Sequence, residues 1–521
     1  MNEDVIKLES PSNIIKEGKA EILEPPGRKV FYNPVQEFNR DLSILSLHVL
    51  SEEWLENPED RNGRSGTKKK FTILEALSAT GLRSIRYAKE IPNVTQIIAN
   101  DISEFATKSI KENVMYNNVE NLVHVNHANA VSVMHNHIEP SKRFEAVDLD
   151  PYGSPTQFLD SAVQCVVDGG ILLVTCTDMA ILCGNFPETC YTKYGALSLR
   201  NQAQHEMAIR IVLQCIQSHA SRYKRYIVPM LSVSVDFYIR VFVKIYTSAE
   251  KCKNVTSNLS LVYHCTSCDS VTLQPLGVKK KAKDNKNVKY CLPHVPVVDS
   301  KCSYCGGNHH VGGPIWNQPI HDENFVSKLL HSDKINELGT SKRLVGMLSM
   351  IKEELDVPLY YSSAKLSCFL KVPTIPIMKM RSAILNGNYK VSFSHASRQS
   401  IKTNAPMTFI WDIMREWAKE NTTTKKPEVP GVVNYLLSQP VQNQIDFSLR
   451  PDANPLSREM RLTRYQENPL PFWGPGTRST VMSLEENPKK NKNQSKKRFK
   501  RFKGSQKDTN ESKEIELQQG E

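Results

Sequence analysis

The feature that most constrains the fold is a regular alternation of strand-like and helix-like segments between Phe71 and Thr177. Short apolar runs predict strands, and the amphipathic stretches between them predict helices. In chain order the segments are FTILEAL, SIRYAKEI, QIIAN, ATKSIKENVMYNN, LVHVNH, FEAVDLD and ILLVTCT. Alternation at this spacing builds a mostly parallel sheet with helices on both faces. The pattern therefore predicts an α/β fold, with a helix from Ser198 to about His219 and closing strands in VPMLSVSVDFYIRVFVKIYT.

Length and composition divide the chain into parts. A chain of 521 residues exceeds the size of a single hydrophobic core. We predict a flexible N-terminal segment (1–28), an α/β domain (29–249), a second, α+β domain (250–484) and a disordered basic tail (485–521). No apolar stretch is long enough to span a bilayer, and the N-terminus resembles neither a secretory nor a transit peptide. Twelve cysteines in so long a chain favour a reducing compartment and metal binding over a disulfide framework.

Net charge is concentrated near the end of the sequence. The net charge of the chain is +12, and nine lysines and arginines lie between Lys489 and Lys503, where there is no aspartate or glutamate. Such a run is typical of a solvated tail, a nuclear-import signal or a nucleic-acid arm, and these interpretations stay open. The lysine-rich stretch from Lys279 to Lys289 is likewise either solvated or a contact for RNA phosphates.

The first half of a candidate site follows the first two predicted strands. The turn SATGLRS places Gly81 between a strand and a helix, where backbone N–H groups can approach a ligand. Twenty residues later, Asp101 ends the strand IIAND at the position where nucleoside-binding folds keep an acid for ribose hydroxyls. The alternatives are an ordinary turn for Gly81 and a helix cap for Asp101. Asn129 and Ala130 lie in a third loop, where an adenine edge would fall.

The second half of the site is AVDLDPYGSP, at the end of the next strand. Strand alternation places Asp148 and Asp150 on one face. The turn Asp150, Pro151, Tyr152 resembles the Asp-Pro-Pro-Tyr-type motif of methyltransferases that act on exocyclic amino groups of bases, with one proline fewer. An aryl amine is a poor nucleophile because its lone pair is delocalised into the ring. Asp150 and the Pro151 carbonyl can accept its N–H bonds and Asp150 can take its proton, while Tyr152 stacks on the base.

With these motifs in view, the chain resembles the tRNA (guanine-26-N2)-dimethyltransferase family. The resemblance covers roughly Val30 to Gly476. It is carried by FYNPVQEFNRDLS, EALSATGLRSIRYAKE, ANDIS, VDLDPYGSPTQFLD, FSHASRQSIKTNAP, TFIWDIMREWAKE and RYQENPLPFWGPG. It implies a Rossmann-like class I methyltransferase domain that transfers two methyl groups from S-adenosylmethionine to one guanine N2 at tRNA position 26.

The resemblance also assigns roles to residues. It implies that Arg40 and Arg83 hold the cofactor, that Asp101 binds its ribose, and that Asn129 with Ala130 faces the adenine. The family often has Asp-Ala where this chain has Asn129 and Ala130, so an acidic contact to the adenine amine is not expected here. A planar guanidinium suits the methionine carboxylate of the cofactor.

Paired cysteines in the second domain predict a structural zinc site. The knuckles are C-T-S-C, with Cys265 and Cys268, and C-S-Y-C-G-G, with Cys302 and Cys305. Four thiolates suit a closed tetrahedral site and leave no open position for catalysis. Two alternatives remain: Cys291 or His294 replaces one ligand, or the thiols are free.

Two other functions remain open from the residues alone. The acid-proline-aromatic turn does not choose the base, so an adenine-amino methyltransferase on RNA or DNA is the first alternative. A non-catalytic tRNA-binding folding factor is the second. The basic runs indicate the nucleus, and the resemblance also permits a mitochondrial or cytoplasmic pool.

Overall fold

The computed structural model describes residues 13–24, 32–56, 70–281, 288–421 and 431–465. The predicted basic tail (485–521), the run from Lys489 to Lys503 and most of RYQENPLPFWGPG lie outside these ranges. No helix within them is long and apolar enough to cross a membrane.

Seventeen strands and fifteen α-helices are present in the described residues. The strands are Asn13–Glu17 (β1), Ala20–Glu24 (β2), Thr72–Glu75 (β3), Gln96–Asp101 (β4), Val123–His127 (β5), Phe144–Leu149 (β6), Val166–Cys176 (β7), Arg225–Val235 (β8), Tyr238–Thr247 (β9), Leu259–Cys265 (β10), Val271–Pro275 (β11), Val278–Lys281 (β12), Val288–Cys291 (β13), His309–Trp316 (β14), Tyr361–Ser362 (β15), Val391–Ser394 (β16) and Ser397–Thr403 (β17). The helices are Glu37–Glu56 (α1), Leu82–Glu90 (α2), Glu104–Tyr116 (α3), Ala130–His135 (α4), Thr156–Cys165 (α5), Pro187–Tyr194 (α6), Gln204–Ser221 (α7), Ala249–Cys252 (α8), Glu323–His331 (α9), Ser341–Lys352 (α10), Ser363–Leu370 (α11), Ile377–Asn386 (α12), Met407–Asn421 (α13), Gly431–Ser438 (α14) and Leu456–Glu459 (α15).

The predicted α/β fold is confirmed. Seven strands form one sheet in the order β5-β4-β3-β6-β7-β9-β8. The five strands from β3 to β7 are parallel, and β9 runs antiparallel between β7 and β8. After β3, the strands β4 and β5 are added on one side of it. The chain then crosses back and adds β6 on the other side of β3. This reversal is a topological switch point, where open α/β sheets bind ligands at the carboxyl ends of their strands.

Both faces of the sheet are covered, which explains why its strands are apolar on both sides. The adjacent residues Ile73 and Leu74 of β3 enter different hydrophobic cores. The core that contains Ile73 includes residues of α1, α2, α9 and α10. The core that contains Leu74 includes residues of α4, α5 and α7.

The predicted helix from Ser198 is wrong at its start, because α7 begins only at Gln204. The residues before it are held by other partners. Leu197 forms an antiparallel bridge with Gly313, and the Gln202 side chain donates to the backbone carbonyl of Asp269. These contacts hold the segment outside the helix, although its composition permits helical structure.

The prediction of a flexible N-terminal segment (1–28) is wrong for residues 13–24, which form the antiparallel hairpin β1–β2. The hairpin is held against α3, because the backbone N–H of Leu23 donates to the Asn113 side chain at 2.9 Å. Glu17, at the end of β1, is buried. Glu17 of this segment pairs with two buried arginines, Arg40 and Arg86.

The region beyond residue 250 does not form a fully separate core. Strands β10 and β14 contribute Val262 and Trp316 to the core beneath α7, while α9 and α10 contribute to the core beneath α1. A third core joins the four paired cysteines to α11, α12, α13 and α14. The α+β character of this part is confirmed, whereas the domain boundaries at 249 and 484 stay predictions.

A buried charge network ties the N-terminal hairpin to the α/β core. Arg86 of α2 is 0% exposed, and its guanidinium nitrogens lie 2.7–2.8 Å from carboxylate oxygens of Glu17, Asp41 and Glu90. Burial alone would raise the pKa of Glu17, but the charges of Arg40 and Arg86 lower it below its ordinary value. Arg86 therefore contacts three buried carboxylates at once, with Arg40 as a second partner of Glu17 and Lys334 as a second partner of Glu90.

We expect Arg86→Met to lower the free energy of unfolding by about 3–5 kcal/mol or more, because it leaves buried carboxylates without their shared cation. Urea denaturation measures the change. Lys108→Met is the matched control, since Lys108 pairs with Glu104 at an exposed site where ion pairs contribute little. Equal effects of the two substitutions would show that the network does not stabilise the fold.

Candidate active site

A strand-to-helix turn at the carboxyl edge of the sheet forms the first part of the site. The chain leaves β3 and reaches α2 through Gly81, whose φ of +78° favours glycine. A Cβ at this position would lie 3.0 Å from Cγ2 of Ile110. Gly81 is the N-cap of α2 and offers no side chain to the helix end, where the Glu75 carboxylate accepts the backbone N–H of Ser84 at 3.0 Å. The N-terminus of α2 therefore lies at this turn with one of its N–H groups already bound.

Asp101 lies at the end of β4, beside this turn. One carboxylate oxygen accepts the backbone N–H of Ala79 at 3.0 Å, and the other accepts that of Ser103 at 2.9 Å. The N-cap of α3 is Ser103, whose hydroxyl accepts from Ala106. The alternative interpretation of Asp101 as the helix cap is therefore wrong. The carboxylate instead joins the loops that follow β3 and β4.

Asn129 and Ala130 lie at the next strand end, after β5. The Asn129 side chain accepts the backbone N–H of Val131 at 2.9 Å and caps α4, and Ala130 is buried. The ends of β3, β4 and β5 are cross-linked by buried Asn100, whose amide donates to the carbonyls of Ala76 and Ala128. The structure thus brings the three predicted cofactor loops to one edge.

The two predicted acids of β6 have different surroundings. Asp148 is 1% exposed and accepts hydrogen bonds from Arg240 at 2.8 and 3.0 Å and from the Tyr87 hydroxyl. Burial would raise the pKa of Asp148, but the guanidinium groups of Arg240 and Arg83 hold it below its ordinary value. Asp150 has a side chain that is 28% exposed and forms an ion pair with Arg83. Asp150 is therefore the acid that a substrate can reach.

The turn after Asp150 is held in place by Thr177, the residue that follows β7. The backbone N–H of Gly153 donates to the Thr177 hydroxyl at 2.7 Å, and Thr177 N–H donates to the Gly153 carbonyl at 3.0 Å. Pro151 is buried. Tyr152 is 49% exposed, and burial together with the charge of Asp150 raises its pKa to about 12. The tyrosine therefore stays neutral and offers part of its ring to solvent.

The two arginines implied by the family resemblance occupy different places. Arg83 lies within the acid cluster, since it pairs with Asp150, lies 3.7 Å from Asp148 and donates to the Ser43 hydroxyl at 3.1 Å. Arg40 lies outside this bonded network and pairs with Glu17. The structure brings Arg83 to the catalytic turn, whereas the guanidinium of Arg40 is bound by the N-terminal hairpin.

Three functional neighbours were missed in the sequence: Arg240, Tyr87 and Asn100. The signal for Arg240 was available, because an arginine inside the apolar strand YIRVFV must have a buried partner. Tyr87 and Asn100 carried no such signal, since a helix tyrosine and a strand asparagine are common without a role. Only the packing of α2 and β4 identifies their partners.

The four paired cysteines are brought together. Their side chains are buried, and their sulfur atoms all lie within 4.8 Å of one another. The Sγ atoms of Cys265 and Cys305 are 3.5 Å apart, and those of Cys268 and Cys302 are 3.7 Å apart. Tetrahedral zinc with Zn–S bonds of about 2.3 Å spaces thiolates about 3.8 Å apart, so the group fits zinc. Cys291 does not join this group.

The loops after β3, β4 and β5 meet at one edge of the sheet, beside the turn Asp150, Pro151 and Tyr152, and this arrangement of fold and turn is that of the amino methyltransferase class which the sequence predicts. Residues 12–415 match the model of the family described as N2,N2-dimethylguanosine tRNA methyltransferase. The chain belongs to this family, so the resemblance found in the sequence is confirmed.

Individual relatives agree with the family. A tRNA (guanine(26)-N(2))-dimethyltransferase of Drosophila melanogaster is 49% identical, over 94% of this chain and 91% of that protein. A Saccharomyces cerevisiae relative of the same name, designated mitochondrial, is 38% identical, over 89% of this chain and 92% of that protein. The solved structure of Trm1 from Pyrococcus horikoshii with S-adenosyl-L-methionine is 32% identical, with a TM-score of 0.63 over 76% of this chain and 98% of that one.

A buried acid beneath the site generates a pH prediction. Glu75, at the end of β3, accepts the backbone N–H of Ser84 at 3.0 Å, and burial raises its pKa to about 8. The folded state therefore keeps a proton that the unfolded chain has released. The contribution of this proton to the free energy of unfolding is complete below the pKa of Glu75 in the unfolded chain. It is lost as the pH rises toward 8, at about 1.4 kcal/mol per pH unit.

We expect Glu75→Gln to remove this contribution to the slope of unfolding free energy against pH between about 5.5 and 7.5. Urea denaturation at several pH values measures the slope. Glu120→Gln is the control, because Glu120 is exposed and its substitution should keep the wild-type slope. An unchanged slope in Glu75→Gln would contradict the raised pKa.

Proposed function

We propose that the protein transfers two methyl groups from S-adenosylmethionine to N2 of guanine 26 in tRNA, forming N2,N2-dimethylguanosine. The observation that carries the proposal is the partly exposed Asp150, held by Arg83 at the carboxyl edge of the sheet, in a chain that belongs to this family. Family membership selects guanine, which the acid-proline-aromatic turn by itself does not.

In this proposal the edge formed by Gly81, Asp101, Asn129 and Ala130 holds the cofactor, which supplies an electrophilic methyl group when bound. Asp101 accepts the ribose hydroxyls, and the N-terminus of α2, where Glu75 binds one N–H group, suits the polar end of the cofactor. Asn129 and Ala130 border the adenine. Arg83, which lies beside Asp150, contributes to cofactor binding at this edge. Arg40 contributes less directly, because Glu17 already binds its guanidinium.

The catalytic role falls to Asp150, Pro151 and Tyr152. The Asp150 carboxylate and the Pro151 carbonyl accept the N–H bonds of the guanine amine, so that its lone pair is directed at the methyl group. Asp150 then takes the proton that the methylated amine releases. Tyr152 stacks on the base, which has left its helical stack. Buried Asp148 holds Arg83 and Arg240 behind this turn and has no contact with the substrate.

The decisive experiment incubates the purified protein with S-adenosylmethionine and unmodified tRNA and identifies the product nucleoside by mass spectrometry. We expect dimethylguanosine from a tRNA with guanine at position 26 and none from a transcript in which adenine replaces that guanine. Asp150→Asn should reduce turnover by at least about 10²-fold and leave cofactor affinity nearly unchanged. Asp160→Asn on α5 is the matched control and should keep full activity.

The other outcomes select the alternatives. Methylated adenosine would replace this proposal with an adenine-amino methyltransferase on RNA or DNA. Binding of tRNA without any transfer would favour a non-catalytic folding factor. Full turnover by Asp150→Asn would remove Asp150 from its catalytic role and leave the reaction itself intact.

We also propose that Cys265, Cys268, Cys302 and Cys305 hold a structural Zn²⁺. The short distances between their sulfur atoms support this set over one that contains Cys291 or His294. Asp269, next to the first knuckle, accepts the backbone N–H of Gln202 at 3.1 Å. The metal would therefore stabilise the segment that precedes α7 as well as the knuckles.

We expect one zinc per chain in the purified protein, measured by elemental mass spectrometry. Cys268→Ser should lose the metal and lower the melting temperature, because four-thiolate zinc contributes directly to folding. Cys291→Ser is the matched control and should keep both. Zinc-free wild-type protein, or loss of zinc in Cys291→Ser, would refute this ligand set.

tRNA is the partner in this proposal, held by the second domain (250–484) and by the basic tail (485–521) through shape and charge. We place the protein in the nucleus on the basic run from Lys489 to Lys503, with a mitochondrial pool suggested by the yeast relative. A fluorescent fusion that lacks residues 489–503 should lose nuclear accumulation. Unchanged accumulation would remove the run as an import signal.

A further inference from the structure

We propose that Phe186 and Arg200 form a second RNA contact beside the catalytic turn. Phe186 stacks on an unpaired base that flanks the methylated guanine, and Arg200 binds a neighbouring phosphate. The inference rests on the proposed function, since it takes tRNA to be the substrate. Both residues belong to the segment 177–203 that joins β7 to α7, the β7–α7 segment.

The β7–α7 segment is attached to the catalytic turn at its first residue. Thr177 exchanges two hydrogen bonds with Gly153, three residues after Asp150. Asp178 then binds Lys193 at 2.8 Å and the Tyr194 hydroxyl at 3.3 Å. These bonds close the segment on itself. Its position relative to Asp150 is therefore set by direct bonds to the catalytic turn.

A tight backbone contact brings the neighbourhoods of Phe186 and Arg200 together. Gly184 lies in a π-helical turn, Ile181–Asn185, and has a φ of +90°. A Cβ at Gly184 would lie 2.3 Å from the backbone nitrogen of Arg200, so only glycine permits the approach. Phe186 follows two residues later, at the start of α6. The aromatic ring and the guanidinium thus extend from adjacent stretches of backbone.

Packing within the described part of the chain does not explain the exposure of these two residues. Leu182 and Tyr194 of the segment are buried, whereas Phe186 is 49% exposed and Tyr191, on α6, is 59% exposed. Arg200 is exposed, and no carboxylate of the described residues lies within 4.0 Å of its guanidinium. An exposed ring and a cation without a carboxylate partner, carried on adjacent stretches of backbone, are the groups that bind a base and its phosphate.

The neighbouring site indicates RNA as the occupant. A target base that leaves its stack exposes the faces of its neighbours, and proteins compensate by stacking aromatic side chains on them. Phe186 belongs to the segment that Thr177 binds to the catalytic turn, and Tyr152 of that turn is exposed. A single surface then holds the target base and an adjacent nucleotide.

Kinetics with full-length protein and tRNA test the stacking contact. We expect Phe186→Ala to raise KM for tRNA roughly tenfold, with cofactor affinity and melting temperature unchanged. Phe186→Tyr keeps an aromatic face and should restore the wild-type KM. Phe186→Leu keeps an apolar side chain without that face and should behave like Phe186→Ala. Tyr223→Ala, an exposed tyrosine after α7, is the matched control and should match the wild type.

Salt dependence of tRNA binding tests the phosphate contact. Arg200→Gln should reduce the slope of log affinity against log salt by about 1, whereas Lys142→Gln, which removes an exposed lysine paired with Glu139, should not. A wild-type KM in Phe186→Ala or Phe186→Leu, or an unchanged slope in Arg200→Gln, overturns the inference. Those results leave methylation by the wild type intact, so they are distinguishable from failure of the proposed function.

Discussion

Asp148 is buried at the end of β6, and its carboxylate is the group around which the site is organised. A buried carboxylate is costly unless cations and hydroxyls surround it, and here Arg240 from β9, Arg83 from α2 and the Tyr87 hydroxyl do so. These partners come from two distant parts of the chain. The buried charge of Asp148 is therefore compensated only when β6, β9 and α2 are packed together in their native positions.

The same requirement positions the catalytic residue. Arg83 lies between the two acids, so its position is fixed by buried Asp148 on one side while it pairs with Asp150 on the other. Arg240 and Arg83 also donate to the Ser43 hydroxyl of α1. Helix α1, which precedes the sheet in sequence, is thereby joined to β9. Asp150, which is partly exposed, is thus supported by a rigid, buried network of hydrogen bonds and ion pairs.

The second half of the chain supports the site from another direction. The knuckle residue Asp269 holds Gln202 through two hydrogen bonds, and the Gln202 side chain accepts the backbone N–H of Ser362 at 2.7 Å. Gln202 thus joins the cysteine knuckles, β15 and the β7–α7 segment. Because this segment begins at the catalytic turn, folding of the second half limits where that turn can lie.

The sequence by itself determined the α/β class, the order of the strands from β3 to β7 with helices α2 and α3, the acid-proline-aromatic turn and the cysteine set. These features depend on local periodicity and spacing, which a linear pattern records. Only the tertiary structure decided that Asp148 is internal and Asp150 accessible, that Arg40 pairs with the N-terminal hairpin, and that α7 begins at Gln204. Those outcomes depend on partners distant in sequence, such as Arg240, Glu17 and Asp269, because desolvation and ion pairing are set by what packs against a residue and not by its neighbours along the chain.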